Sequence, residues 1–156
     1  MFYFASEPEG ATYEALIQLA IKRCETFSLI WRAKRHPKPA QDEMLLALTE
    51  FLIAEKDTKQ WPGTLSAGSA TIRHYRAVAE VAPILCRIEG LYSWLHPQYP
   101  EDLAFYCANG DVWLTSIAHE REAWVEDGNL SLDELLRAVP DLQVSPQRQS
   151  ATRLKH

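Results

Sequence analysis

Residues 99–126, YPEDLAFYCANGDVWLTSIAHEREAWVE, decide how this chain is read. Two β-rich segments, 103–107 and 111–118, flank Asn109-Gly110-Asp111. Asn and Gly tolerate a positive φ, so the segment predicts a hairpin closed by a tight turn. The second strand ends where charge begins, at His119-Glu120. Residues 122–126 predict a further strand beside it. Downstream, Ser131-Leu132-Asp133-Glu134 has the spacing of a capping box, which predicts a short helix over 132–139. Residues 145–156 are polar and predict a flexible tail.

Upstream of the hairpin, helices and strands alternate. Residues 2–5 predict a short apolar strand. Leu16, Ile17, Ala20, Ile21 and Cys24 recur on one helical face, predicting a helix over 13–24 with Thr12 as its cap. Lys22 and Arg23 fall in its last turn, where cations suit the helix dipole. Residues 26–32 predict a strand with Phe27, Leu29 and Trp31 on one side and Thr26, Ser28, Ile30 and Arg32 on the other. Two prolines and a run of basic residues mark 33–39 as an exposed loop. Met44, Leu45, Leu48, Phe51 and Leu52 predict a second helix over 41–56. A long polar connection over 57–69, around Trp61-Pro62-Gly63, leads to a strand over 70–77. Val81, Leu85, Ile88 and Tyr92 predict a third helix over 80–94. The order implies an α+β fold: one mixed, largely antiparallel sheet, helices packed mainly on one face, a C-terminal hairpin and a short terminal helix. The N-terminal β-α-β segment suits a parallel, right-handed crossover. One globular domain over 1–144 precedes the tail.

Composition narrows the class. The chain has 156 residues, 47% hydrophobic and 24% charged, which suits one globular domain. No apolar run approaches the ~20 residues of a membrane helix. The first ten residues lack the basic head and apolar centre of a signal peptide, so a cytoplasmic protein without membrane association is expected. Three cysteines, Cys24, Cys86 and Cys107, stand far apart in sequence, which reads as reduced thiols rather than a disulfide framework. With no CxxC pair, neither a structural metal nor another cofactor is expected.

The net charge is −5, and its distribution is uneven. Residues 32–38 carry Arg32, Lys34, Arg35 and Lys38 without an acid, and could touch phosphates. They lack an interleaved aromatic platform, and with a net negative chain this argues against nucleic acid. Between Pro97 and Glu134, nine carboxylates stand against one cation, Arg121. Such a surface attracts basic proteins.

Several side chains carry chemistry. His119 beside Glu120 is material for general acid–base work, as in a hydrolase or nuclease. Neighbours in an extended chain point to opposite faces, so the two meet only if the strand ends between them. Arg73, His74 and Arg76 could bind a phosphate, or form a solvated basic rung. Glu101-Asp102 could approach a divalent cation, but two adjacent acids equally suit a turn into a strand. Residues 66–69 match neither a nucleophile elbow nor a phosphate loop. Among five tryptophans, Trp61 in the long connection and Trp124 near the acidic turn are candidate apolar anchors for a partner.

Residues 99–103, with Phe105-Tyr106, Trp113-Leu114 and His119-Glu120, resemble a pattern in small bacterial proteins, some of which look like immunity proteins that neutralise secreted toxins of neighbouring bacteria. The resemblance covers a short part of the chain and implies a cytoplasmic binding module of mixed α/β fold. No catalytic motif comes with it. The resulting expectation is a non-enzymatic protein-binding module that occludes a basic toxin enzyme. Its partner surface comprises Glu101, Asp102, Asp111, Glu120, Glu122, Glu126 and Asp127, with Trp124 or Trp61 as anchor. The alternative is a small hydrolase or nuclease using His119 with Glu120 and Arg73 or His74.

Overall fold

The structure is a computed structural model that describes residues 1–32, 38–126 and 128–148. It is an α+β fold built on one eight-stranded antiparallel sheet with four helices. The strands are β1 (Phe2–Phe4), β2 (Thr26–Trp31), β3 (Leu52–Trp61), β4 (Thr64–Arg76), β5 (Glu101–Tyr106), β6 (Val112–Ile117), β7 (Glu122–Val125) and β8 (Val144–Ser145). Their spatial order is β3-β4-β2-β5-β6-β7-β1-β8. The helices are α1 (Gly10–Arg23), α2 (Pro39–Leu48), α3 (Ala82–Leu85) and α4 (Leu132–Ala138).

Alternation in the strands sorts the two faces. Phe27, Leu29, Phe105, Leu114 and Val125 share one core with Tyr13, Leu16 and Ile17 of α1, Met44 and Leu48 of α2, Leu85 of α3 and Leu135 of α4. All four helices therefore cover the same side. Each such side chain, fully buried, contributes about 1.5–3 kcal/mol. The opposite side holds a second, smaller cluster: Ile30, Trp61, Ala70 and Ile72. It is covered by the chain's own β3–β4 hairpin.

That hairpin departs most from expectation. Helix α2 stops at Leu48, a 3-10 turn follows over Thr49–Phe51, and residues 52–61 form β3 rather than the end of a helix. The predicted connection over 57–69 is the hairpin itself, with Trp61 opposite Thr64 across Pro62-Gly63. Proline presets the first turn position, and Gly63 supplies φ +80° at the second. Gly63 also lies against the sheet. A Cβ there would sit 3.0 Å from Ile117 Cδ1 and Thr115 Cγ2. The hairpin tip thus folds back over β6. From Leu52 to Gln60 the side chains of β3 are exposed or half-buried, so no apolar alternation marks the strand.

Other differences have local causes. The predicted helix over 80–94 breaks into short turns around α3. The chain is drawn away by Glu7, whose Oε2 accepts the Tyr92 N–H at 2.7 Å. A Cβ at Gly90 would meet that same oxygen at 2.6 Å, so a larger residue there would push the Glu7 carboxylate off the Tyr92 N–H. The expected parallel crossover is absent: β1 pairs antiparallel with β7 and β8, while β2 pairs antiparallel with β4 and β5. Helix α1 starts earlier than predicted, at Gly10, with Glu9 rather than Thr12 as the N-cap residue. Ser145, placed in the tail from sequence, pairs with Tyr3 in β8. The capping box forms as read, with Ser131 Oγ accepting the Glu134 N–H at 3.1 Å. Residues 33–37 of the basic loop, Asp127, and residues 149–156 of the tail lie outside the described residues.

Candidate functional site

The sheet brings chemistry-bearing side chains to two places, one at each end of β6. At the end near Ile117, Arg32, His96, Glu101 and His119 line a crevice of about 370 Å³. Arg32 follows β2, and Glu101 opens β5 beside it. The guanidinium donates from Nε to Glu101 Oε2 at 3.2 Å and from Nη1 to Ser66 Oγ at 3.3 Å. It also stacks 4.9 Å over the Trp61 ring. Exposed ion pairs contribute little, but Glu101 is buried, so this pair holds a fixed geometry.

Asp102 supports the crevice from behind. It is 2% exposed, accepts the Trp61 indole N–H at 2.9 Å, and accepts the Ala118 N–H at 3.0 Å. Three elements therefore meet on one carboxylate: the hairpin, β5 and the turn after β6. Its backbone is left-handed, with φ +57°. Here β5 carries one residue more than β2, since Ser28 pairs with Ala104 and Ile30 with Glu101. Asp is one of the few residues that tolerate such a bulge conformation. Burial pushes the Asp102 pKa above its ordinary value. Its hydrogen bonds from Trp61 and Ala118 oppose that shift, Glu101 adds to it and His119 opposes it.

His119 and Glu120 do meet. The strand ends at Ile117, and a 3-10 turn over Ala118–Glu120 brings His119 Nε2 to 3.7 Å from Glu120 Oε1. Both are well exposed. Arg73 and His74 do not join them. Arg73 pairs with Glu55 at 2.8 Å and stacks on Trp31. His74 packs on Tyr106, with ring centroids 5.2 Å apart. Burial lowers the His74 pKa, helped by Lys56. His96, unremarked from sequence, lines the crevice, and Gln41 Nε2 lies 3.2 Å from its Nδ1.

At the other end of β6, an open groove of about 990 Å³ runs between the end of α1, the β5–β6 turn and the segment after β7. Asp111 and Glu126 line it together with Asn109 and Asn129. Lys22 and Arg23 line it from α1, so its charge is mixed. The turn is held by Asp111 N–H donating to Asn109 Oδ1 at 2.9 Å. Glu126 N–H donates to the Trp113 carbonyl at 2.8 Å, which fixes the rim.

The expected partner surface is therefore not one surface. Glu101, Asp102 and Glu122 are buried and held by partners inside the fold: Arg32 for Glu101, Trp61 and Ala118 for Asp102, Arg148 for Glu122. A buried carboxylate needs such partners, so these three are structural. Trp61 is buried too, which withdraws it as an exposed anchor. Trp124 is half-buried between Tyr3 and Arg148. Of these acids among the described residues, Asp111, Glu120 and Glu126 remain accessible. Glu120 lies about 20 Å from the other two, the length of a six-residue strand. The groove residues Lys22 and Arg23 were read only as helix-end cations, because nothing local in sequence places them beside the hairpin turn.

Among the described residues, no group of three or more His, Cys, Asp or Glu side chains is placed to share a metal ion, and no helix is long and apolar enough to cross a membrane. No family model matches the chain, and neither does any curated protein or solved structure.

Proposed function

We propose that the chain is a protein-binding module of immunity type, which docks a basic toxin enzyme along the groove beside the β5–β6 turn. One observation carries this reading: Asp111 and Glu126, far apart in sequence, line the same open groove on a rigid sheet end. Asn109 holds Asp111 in place, its Nδ2 donating to Asp111 Oδ2 at 3.0 Å, and Asn129 lines the groove beside them. Lys22 and Arg23 favour a partner segment in which basic residues alternate with an acidic one. Occlusion needs only such a complementary surface, with exposed charges setting the association rate and buried contacts the dissociation rate.

The test is a charge reversal. The wild-type chain and the Asp111→Lys/Glu126→Lys double variant serve as bait in an extract of the native host. The wild type is expected to recover a basic protein, and the double variant about tenfold less at equal loading. Glu120→Lys, at the far end of β6, keeps recovery near wild type. Equal recovery by the double variant across a salt series contradicts the groove assignment.

A second reading is favoured by the crevice. His119 opens onto it, beside Arg32 held by Glu101, which is an arrangement suited to proton transfer near an anionic group. In this hydrolase or nuclease reading, His119 is the base and Arg32 replaces Arg73 and His74 as the cation. Turnover of a phosphodiester substrate that His119→Ala abolishes, with the fold intact, would select it over the binding reading.

A further inference from the structure

We infer that Cys107 and Cys24 form an oxidisable thiol pair, in which a hydroperoxide reacts at Cys107 and Cys24 closes an intramolecular disulfide. The geometry comes from one backbone hydrogen bond. Glu25 N–H donates to the Tyr106 carbonyl at 3.0 Å. That N–H belongs to the peptide unit joining Cys24 to Glu25, and that carbonyl to the unit joining Tyr106 to Cys107. In an antiparallel pair, such facing units set Cα of residue 24 opposite Cα of residue 107. Facing Cα atoms stand about 4.5–5.5 Å apart, within the roughly 4.4–6.8 Å that a disulfide spans. Beyond that bond the pairing shifts by one residue, Thr26 standing opposite Tyr106, so Glu25 and Thr26 both face Tyr106 as in a β-bulge. Both thiols lie on the core side of the sheet, Cys24 within the main core and Cys107 packed against it.

The two positions differ in access. Cys107 is half-buried and lines the open groove, where Lys22 and Arg23 stand as neighbours. Cys24 is buried under the end of α1, and burial pushes its thiol up to about 12, so it stays protonated. The order of events follows. The Cys107 thiolate attacks a peroxide oxygen, the O–O bond breaks, and the leaving hydroxide or alkoxide takes a proton. Cys107 is now a sulfenic acid, oxidised by two electrons. The Cys24 sulfur then attacks that sulfur and its proton leaves with the hydroxyl as water. One disulfide forms, and hydrogen peroxide as oxidant ends as two waters. Cys86, the C-cap residue of α3, also carries a free thiol and serves as an internal control.

The bond would tie the end of α1 to the β5–β6 turn, fixing Lys22 and Arg23 against the groove that Asp111 lines. The assignment does not depend on what occupies that groove. The test treats the reduced full chain with hydrogen peroxide and reads intact mass, titratable thiols and peptide maps. The expected product has lost two hydrogens, retains one thiol of three, and yields a 24–107 cross-linked peptide. Cys86→Ser gives the same cross-link. Cys24→Ser leaves Cys107 as a sulfenic acid that dimedone traps, and Cys107→Ser gives neither product. Three thiols surviving oxidation of the folded wild type, or a disulfide that uses Cys86 or a second chain, overturns the inference. The wild-type readout stands whether or not each variant folds.

Discussion

Asp102 shows how one residue can be legible in type and misread in role. Its acidic character and its place before a strand are plain in the sequence. Its burial is not, because the groups that pay for it, the Trp61 indole and the Ala118 amide, arrive from distant segments. Removing the carboxylate strands two buried donors and leaves a left-handed backbone under alanine. Asp102→Ala is expected to lower unfolding free energy by about 2–4 kcal/mol in a urea titration. Asp102→Asn keeps an acceptor and the tolerance for φ > 0, and is expected to lose roughly half as much. The pair also carries a pH signature. Burial raises the Asp102 pKa above 3.8, so the folded chain binds that proton more tightly than the unfolded chain. The stability of wild type relative to Asp102→Asn is therefore greatest at or below pH 3.8 and declines as pH rises through the folded value. Urea midpoints of both proteins from acid to neutral pH check the direction. A difference that grows with pH refutes the sign.

At the scale of elements, the sequence was readable wherever a strand or helix buries one face. Helix α1, strand β2 and the β5–β6–β7 meander lie close to where periodicity placed them. It was unreadable for β3, whose side chains are exposed or half-buried up to Gln60 and whose apolar start, Leu52, extended the stripe of the preceding helix. The Pro62-Gly63 pair was the available signal, and a hairpin with a two-residue loop is what it encodes. Gly63→Ala places a Cβ 3.0 Å from Ile117 and Thr115 in a left-handed backbone. The expected cost is about 1–3 kcal/mol. It should be concentrated in the hairpin, so hydrogen exchange of β3 and β4 amides accelerates more than that of β6. The capping box of α4 offers a cleaner case. Ser131→Ala removes the acceptor for the Glu134 amide, and a loss of about 0.5–2 kcal/mol is expected by thermal or chemical denaturation.

For the whole molecule, net charge per stretch was visible but its distribution in space was not. A strand six residues long separates acids that are close in sequence, and the fold buries three of them. The last described segment shows the same logic. Arg148 reaches back to buried Glu122 and lies 5.0 Å over Trp124. Arg148→Ala is expected to cost about 1–2 kcal/mol, discounted because Arg148 is half-exposed. A loss within 0.2 kcal/mol, measured by denaturant titration, would show that water serves Glu122 equally well. Finally, β3 ends the sheet as a ten-residue strand with nothing beyond it among the described residues. Such a border is a template on which further chains can add, one after another, into a fibre. Lys56, Lys59 and two breaks of register along β3 are the features that keep it monogamous with β4. Exchanging both lysines for valine should turn a dispersed protein into one whose turbidity rises with concentration, without altering its core.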